Sequence, residues 1–117
     1  MGRSPIKELV LDAVTAGSAN GRWITVEDAR DISIVIEYTQ AAGSSGTLSF
    51  QGTYDGTNTY PLEVQLGNGN AVTSKAYSTS LSEVYHVVGC HDKIRVSWVE
   101  AVTGYTISSW IIYQEGV

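Results

Sequence analysis

The one stretch of the chain where metal-binding or nucleophilic side chains crowd together is "HVVGCHD", residues 86–92. A structural zinc site takes four ligands from two separated segments, and the chain has no His or Cys outside this stretch. A Cys-His-Asp triad takes its members from separate elements that converge, whereas Cys90, His91 and Asp92 are consecutive. We therefore interpret Gly89 to Asp92 as a hairpin turn, with His86 on a strand, and expect no metal site and no catalytic residue.

The remaining carboxylates and loops do not indicate an enzyme either. The twelve Asp and Glu residues could include a glycosidase pair, but spacing alone does not identify one. No activated nucleophile, Gly-rich phosphate loop or metal motif of known mechanics is recognisable. The sequence therefore predicts a protein that is not an enzyme and carries no cofactor.

Aromatic side chains raise a different possibility, because flat rings on a sheet surface stack on sugars. The chain has seven Tyr and three Trp. Trp98 and Tyr38 alternate in phase with apolar residues, so we place both in the core. The tyrosines that this pattern leaves freer for a ligand are Tyr54, Tyr60, Tyr77, Tyr85 and Tyr105.

The elements that position these groups are strands. Thr, Val and Ile number 33 residues against 6 Leu, and β-branched side chains suit a pleated surface. Eight segments alternate or are strongly apolar: "ELVLDAV", "GRWITV", "DISIVIEYT", "TLSFQGTY", "YPLEVQL", "SEVYHVV", "KIRVSWV" and "YTISSWIIY". The last is apolar on both faces near its end, which is typical of a strand covered on both sides. We predict an all-β fold, a single antiparallel β-sandwich or jelly-roll-like domain of about eight strands.

The same alternation predicts which side chains are buried. The in-phase apolar positions of the strongest segments are Ile32, Ile34, Ile36, Leu48, Phe50, Leu62, Val64, Ile94, Val96 and Trp98. Residues 21–117 form the predicted sandwich domain, and residues 1–20 form an N-terminal strand or arm that ends in a small-residue hinge.

Charge and cysteine content limit the partners. A net charge of −5 and a pI near 4.8 argue against nucleic acid and anionic membranes, since only seven Lys and Arg are present. No apolar run approaches the roughly 20 residues that span a bilayer. Lys7 and Glu8 interrupt the region where a signal peptide would be apolar, and the single cysteine excludes an internal disulfide. These features predict synthesis in the cytoplasm.

The "DGTN" segment, residues 55–58, has two possible roles. Tyr54 and Tyr60 flank it at hairpin spacing, and Asp-Gly followed by Asn supplies a positive φ and side-chain capping of the loop's own backbone. We therefore predict a structural turn with positive φ at Gly56. The alternative is a contact loop formed by Tyr54, Asp55, Thr57, Asn58 and Tyr60.

A set of motifs along residues 23–113 resembles small virion proteins of tailed bacteriophages. The matching pieces are Ser45-Gly46-Thr47, Gly52, Asp55-Gly56-Thr57-Asn58, Leu62, Ile94-Arg95-Val96 and Thr103-Gly104-Tyr105-Thr106-Ile107. The resemblance implies a non-enzymatic virion component, and in particular a capsid decoration (cement) protein on the capsid surface, made in the host cytoplasm. The implied partners are the major capsid protein or other virion subunits and further copies of the chain, with a trimer as the expected oligomer.

Two alternatives stay open, a carbohydrate-binding β-sandwich module and a tail or fibre adaptor. We also expect the N-terminal segment to act as a contact arm through Pro5, Ile6, Leu9 and Leu11 and to be less ordered in the free protein.

Overall fold

The computed structural model describes residues 5–40, 43–67, 69–89 and 91–115. Within these ranges the chain folds into eleven strands and no helix, so none of the described segments is a helix that could cross a membrane. The strands are β1 (Ile6–Val14), β2 (Ala19–Asn20), β3 (Ile24–Thr25), β4 (Ala29–Gln40), β5 (Ser45–Thr53), β6 (Thr59–Pro61), β7 (Val64–Gln65), β8 (Ser74–Tyr77), β9 (Leu81–Val87), β10 (Lys93–Val102) and β11 (Tyr105–Glu115). The predicted all-β fold is confirmed.

The strands form two antiparallel sheets that pack face to face. The five-stranded sheet has the order β1-β11-β4-β9-β7. The six-stranded sheet has the order β2-β10-β5-β6, with β3 also paired to β10 and β8 also paired to β5. From β6 to β11 each successive strand lies in the other sheet, so the chain crosses repeatedly between the two layers. The predicted sandwich is thus confirmed.

The number of strands is larger than the eight predicted, for two reasons. The segment "YPLEVQL" is not one strand: Thr59–Pro61 pairs with β5, and Val64–Gln65 pairs with β9 in the other sheet. Leu62 lies buried where the chain crosses between the layers. The additional strands β2 and β8 are only two and four residues long, too short for periodicity to reveal them.

The core lies between the sheets and contains all ten residues that the alternation selected. Each of them is at most 7% exposed. Val10 and Leu11 of β1, Ile24 and Val26, and Ile107 and Ile111 of β11 complete the apolar layer. At about 25 cal/mol per Å² of apolar surface, this interdigitated layer is the main stabilising contribution to the fold.

Four aromatic residues, Tyr38, Tyr77, Trp98 and Tyr105, close one end of the core, and we call them the closed cluster. Their rings are tightly grouped, with centroids 5.1 Å apart for Trp98 and Tyr105 and 5.3 Å apart for Tyr38 and Tyr77. Gly46 on β5 makes room for the indole, since a Cβ at this position would overlap the Trp98 ring. All four rings are buried.

One charged side chain, Glu83 of β9, points into the core while its neighbour Val84 faces solvent. The Glu83 Oε1 atom accepts hydrogen bonds from the hydroxyls of Tyr77 at 2.9 Å and Tyr85 at 3.3 Å. Burial and the adjacent Glu83 raise the pKa of Tyr85 to about 12 and raise the pKa of Tyr77 still further. Two tyrosine donors therefore offset the cost of burying a carboxylate.

Candidate functional site

The loop between β5 and β6 is held by the side chain of Asp55. Its Oδ1 atom accepts hydrogen bonds from the backbone N–H groups of Thr57 and Asn58, both at 2.8 Å, and its Oδ2 atom accepts one from the Asn58 amide at 2.8 Å. These bonds, the two from the backbone first, lower the pKa of Asp55 well below its usual range. Gly56 has φ +79°, which confirms the predicted positive φ.

Thr53, at the end of β5, also anchors this loop, and no sequence pattern marked it beforehand. It is fully buried, donates a hydrogen bond from Oγ1 to the Asn58 carbonyl at 2.6 Å, and accepts one from the Gly56 N–H at 3.0 Å. A Thr three residues before a Gly of positive φ is a signal that could have predicted this contact. The loop therefore has a fixed shape that needs no ligand.

Three ring side chains, Tyr54, Tyr60 and His91, lie beside this loop, and we call them the tip cluster. The rings of Tyr54 and Tyr60 stack with centroids 5.1 Å apart, and those of Tyr60 and His91 lie 5.7 Å apart. Tyr54 is 68% exposed, whereas Tyr60 is half-buried. The cluster thus presents one tyrosine to solvent on top of an anchored second one.

Hydrogen bonds orient the His91 ring and hold Tyr60 in position. His91 Nε2 lies 2.7 Å from the carbonyl of Val88, which can only accept, so the proton is on Nε2. His91 Nδ1 is then free to accept a hydrogen bond from the Tyr60 hydroxyl at 2.8 Å. Burial and the neighbouring Tyr54 raise the pKa of Tyr60 to about 12, so the hydroxyl stays a donor at neutral pH.

Gly52 on β5 supports the tip cluster by leaving space. It pairs with Tyr60 across the two strands, and a Cβ at Gly52 would lie 2.5 Å from the Tyr60 ring carbons. Only a residue without a side chain lets the ring lie across the strand in this way. Gly52 and Gly46, two positions on β5, therefore have the same role: each leaves space for an aromatic ring, Tyr60 in one case and Trp98 in the other.

A shallow cleft of about 300 Å³ opens next to Tyr60, where β6 ends and β8 begins along β5. Hydroxyl and amide side chains line most of it, including Ser49, Gln51, Thr59 and Ser74. Gln51 also accepts a hydrogen bond from Arg95 Nε at 2.8 Å. Hydroxyl and amide side chains of this kind can hydrogen-bond to a sugar.

The His, Cys and Asp residues of the 86–92 stretch do not act together. His86 lies on the outer face of the five-stranded sheet, 3.3 Å from Ser33 Oγ, whereas His91 belongs to the tip cluster. Cys90 lies outside the described residues. In the part of the chain that the structure describes, no group of three His, Cys, Asp or Glu side chains could hold a metal ion.

A second cleft, of about 370 Å³, is lined by acidic side chains that include Glu27 and Asp28. The pKa of Glu27 is raised, first by a hydrogen bond to the carboxyl of Asp92 and then by the charge of Asp92. This carboxyl pair is the kind of arrangement on which acid catalysis depends, but Glu27 is fully exposed to water, which screens the pair.

The four residues of the expected contact arm do not form one surface. Ile6–Val14 is the edge strand β1, paired along β11. Leu11 is buried in the core opposite Ser109, Ile6 is half-buried opposite Tyr113, and Leu9 is 39% exposed opposite Trp110. Pro5 precedes the strand and is exposed. A contact function for this segment stays a prediction, and Leu9 and Pro5 are its accessible members.

Three tyrosines that the pattern left free for a ligand are instead buried, and that expectation is wrong for Tyr77, Tyr85 and Tyr105. Each has a partner for its hydroxyl: Glu83 for Tyr77 and Tyr85, and Glu100 at 2.7 Å for Tyr105. Tyr85 shares a face of β9 with the charged Glu83, which by alternation indicates an exposed face, and the acceptors of Tyr77 and Tyr105 come from other strands.

Comparison with known proteins shows the fold but no family. No protein-family model and no curated protein sequence matches the chain. The chain is similar to the crystal structure of the SPBc2 prophage-derived protein YomS, with a TM-score of 0.68, 14% identity, and 95% of this chain and 94% of that chain covered. It is also similar to a structure described as Bacillus endospore appendages that form a family of disulfide-linked pili, with a TM-score of 0.47, 17% identity, and 97% and 88% covered.

Proposed function

We propose that the protein is a non-enzymatic bacteriophage virion protein, and specifically a capsid decoration protein that binds the assembled head shell. The observation that carries this proposal is the exposed Tyr54 ring, which is held in place by stacking on the half-buried Tyr60. The phage assignment is supported by the motifs of residues 23–113 and by the prophage origin of YomS, whose fold matches nearly the whole chain.

The tip cluster has the physical properties of a protein-binding anchor. Tyrosine offers a large amphipathic surface with few rotatable bonds, and such residues contribute a large share of binding free energy at interfaces. Tyr54 is already ordered by stacking on Tyr60, and Tyr60 is held by His91 and Gly52. Little conformational entropy is then lost when Tyr54 enters a pocket on the major capsid protein or another virion subunit.

The proposal includes the position and assembly of the protein. It places the protein on the capsid surface after synthesis in the host cytoplasm. It also includes self-association, for which the resemblance implies a trimer. A tail or fibre adaptor is a variant of the same proposal with a different virion partner.

The test uses particles from a phage that lacks the gene, to which the purified protein is added back. We expect saturable co-sedimentation with intact heads in many copies, and a roughly 10- to 100-fold weaker affinity for Tyr54→Ala. Leu66→Ala, which truncates an exposed apolar side chain on another loop, serves as the matched control and should bind normally. Co-sedimentation with tails alone would support the adaptor variant, and binding to neither particle would refute the virion proposal.

A carbohydrate-binding module is the second candidate, because the hydroxyl-lined cleft lies directly beside Tyr60. A sugar in this cleft would have its hydroxyls within reach of Gln51 and Ser74. Calorimetric titration with cell-wall polysaccharide fragments, in the absence of any particle, tests this candidate. Saturable binding that Gln51→Ala weakens while head binding is unaffected would establish it, and a flat titration would exclude it for those sugars.

A further inference from the structure

A row of apolar side chains crosses the outer face of the five-stranded sheet in register. Leu9 of β1 pairs with Trp110 of β11, Trp110 with Val35 of β4, and Val35 with Val84 of β9. At about 4.8 Å between strands, these four residues span roughly 14 Å. Leu9 is 39% and Val84 is 44% exposed, and the two central members are partly buried by their neighbours.

This face is the uncovered side of strand β11, which the sequence predicted to be covered on both sides. Tyr105, Ile107 and Ile111 face inward and are buried in the core. Trp110 and Ile112 face outward, and no strand in the described ranges packs over them. Among the described residues, Lys7 lies over Trp110, with its Nζ atom 5.1 Å from the centroid of the ring.

Opposite charges lie on the two sides of the apolar row. The adjacent row on one side runs from Lys7 through Ile112 and Ser33 to His86. On the other side, Glu37 lies in the row of Ser108, and the exposed Asp12 occupies the bulge opposite Ser108. The rows next to the apolar row therefore carry Lys7 and His86 on one side and Glu37 and Asp12 on the other, with the exposed Asp31 further out on the Lys7 side.

We infer that this face binds the same face of a second copy of the chain, about a two-fold axis that runs along the apolar row. Such an axis exchanges the two sides, so Lys7 of each copy meets Asp12 of the other. Each residue of the row then meets its own equivalent, Val84 against Val84 and Trp110 against Trp110. The inference does not depend on the virion proposal.

The size of the face is suitable for a stable dimer. Four strands with their side chains are about 20 Å wide, and strands of about nine residues are about 30 Å long, which gives a plane of about 600 Å². Allowing for the relief of the side chains, this approaches the roughly 800 Å² per partner of a standard interface. A two-fold axis gives a dimer, so this inference replaces the trimer that the motif resemblance implies.

The test is sedimentation equilibrium of the purified protein from about 1 to 200 μM, with variants of Val84. Val84→Lys places two like charges against each other on the axis and should weaken the dimer about 100-fold. Val99→Lys is the matched control, because Val99 is a 53% exposed strand valine on the outer face of the other sheet. Thermal melting within about 2 °C of the parent protein shows that both variants are folded.

Mixing two variants tests the direction of the axis. Val84→Lys and Val84→Glu should each be monomeric, and their equimolar mixture should regain a heterodimer, because position 84 meets position 84. The inference would be overturned if Val84→Lys left the dimer intact, or if the protein were a trimer or still a monomer at about 200 μM. It would also be overturned if the monomer used this face to bind heads or another protein. A mixture that stays monomeric would overturn the proposed axis.

Discussion

In both the closed cluster and the tip cluster, aromatic rings pack against a glycine of β5, but the two clusters differ in solvent exposure. Each contains aromatic rings seated on a glycine of β5, Gly46 for the closed cluster and Gly52 for the tip cluster. About six residues of strand, roughly 20 Å, separate the two glycines, so the clusters lie towards opposite ends of the sandwich. The Trp98 ring is fully buried, whereas Tyr54 is largely exposed.

The difference shows what burial of a tyrosine requires beyond an apolar neighbourhood. In the closed cluster each tyrosine hydroxyl has a side-chain partner: Ser44 at 2.7 Å for Tyr38, Glu83 for Tyr77 and Glu100 for Tyr105. In the tip cluster the hydroxyl of Tyr60 has His91. Tyrosines with well-placed partners can be buried without an unpaired hydroxyl, and an exposed one can satisfy its hydroxyl with water.

The strongest test of this comparison is to replace each glycine with alanine, which adds a methyl group where the ring lies. Gly46→Ala places a methyl group inside the Trp98 ring, where the packed core cannot yield, and should lower the free energy of unfolding by about 3 kcal/mol. Gly52→Ala meets the Tyr60 ring, which can turn outward into solvent, so the loss should be about 1 kcal/mol. Urea denaturation of both variants measures the two losses.

The two alanine variants should also differ in function. Gly52→Ala displaces Tyr60 and with it Tyr54, so under the proposed function it should weaken head binding as strongly as Tyr54→Ala does. Gly46→Ala should leave the affinity of the folded fraction unchanged. Equal losses of stability at the two positions would show that the tip ring is as constrained as the core ring.

The next effect concerns the loop that carries Tyr54. Gly56 has φ +79°, and a Cβ there would meet no atom within 4 Å, so a substitution is strained by the backbone alone. Gly56→Val should lower the free energy of unfolding by about 1 to 2 kcal/mol. Gly56→Asn is the matched control and should cost less, because Asn tolerates the left-handed region. Identical melting temperatures for the two variants would contradict the assigned backbone conformation.

Alkaline pH should destabilise the protein through the buried tyrosines. The pKa of Tyr85 is raised to about 12, and that of Tyr77 is raised further, first by burial and then by Glu83. Since tyrosine in the unfolded chain has a pKa of about 10, their contribution is complete below about pH 10 and is lost as the pH rises towards 12. Denaturation midpoints measured from about pH 8 to 11.5 should decrease at pH values above 10.

The Glu83→Gln variant shows which cluster contributes more to the loss of stability at alkaline pH. A neutral amide does not repel a phenolate, so the fall of the midpoint above pH 10 should be shallower. Tyr60→Phe, which removes the raised pKa of the tip cluster, should change the slope less. If Tyr60→Phe changed this slope more than Glu83→Gln does, the tip cluster would contribute more to the alkaline loss of stability than the tyrosines around Glu83.

The smallest effect is expected in acid, at the loop of the tip. The pKa of Asp55 is lowered by the N–H groups of Thr57 and Asn58, so its contribution to stability is present above about pH 4 and is lost as the pH falls below that value. Asp55→Asn should lower the melting temperature by a few degrees at pH 7 and flatten its decline below pH 4.

Alternation predicted the core well because a strand repeats every two residues whatever it pairs with. It placed ten residues inside, from Ile32 to Trp98, and all ten are buried. It could not show that "YPLEVQL" divides between two sheets, because crossing from one layer to the other keeps the same side chains facing the core. It also could not choose between Tyr54 and Tyr85, since the charged Glu83 on the same face as Tyr85 makes that face read as exposed.

The candidate site was predictable only in part, for the same reason. Asp-Gly and Asn at residues 55–58 indicate a turn from local chemistry alone, and the structure has that turn. His91 joins the tip cluster from 31 residues away along the chain, and the apolar row uses four strands that are distant in sequence. Such features depend on strand order, which local patterns do not determine.

The pairing of β1 with β11 has a consequence for how the molecule is made. Ile6 lies opposite Tyr113, so the five-stranded sheet joins two segments from opposite ends of the sequence. During synthesis β1 emerges long before β11, its pairing partner. The sheet must then be completed late and through contacts distant in sequence, which makes folding slow for a domain of this size. Until then Val10 and Leu11 remain accessible to chaperones, and ribosomes stalled before β11 has emerged should hold a chain that cannot complete its core.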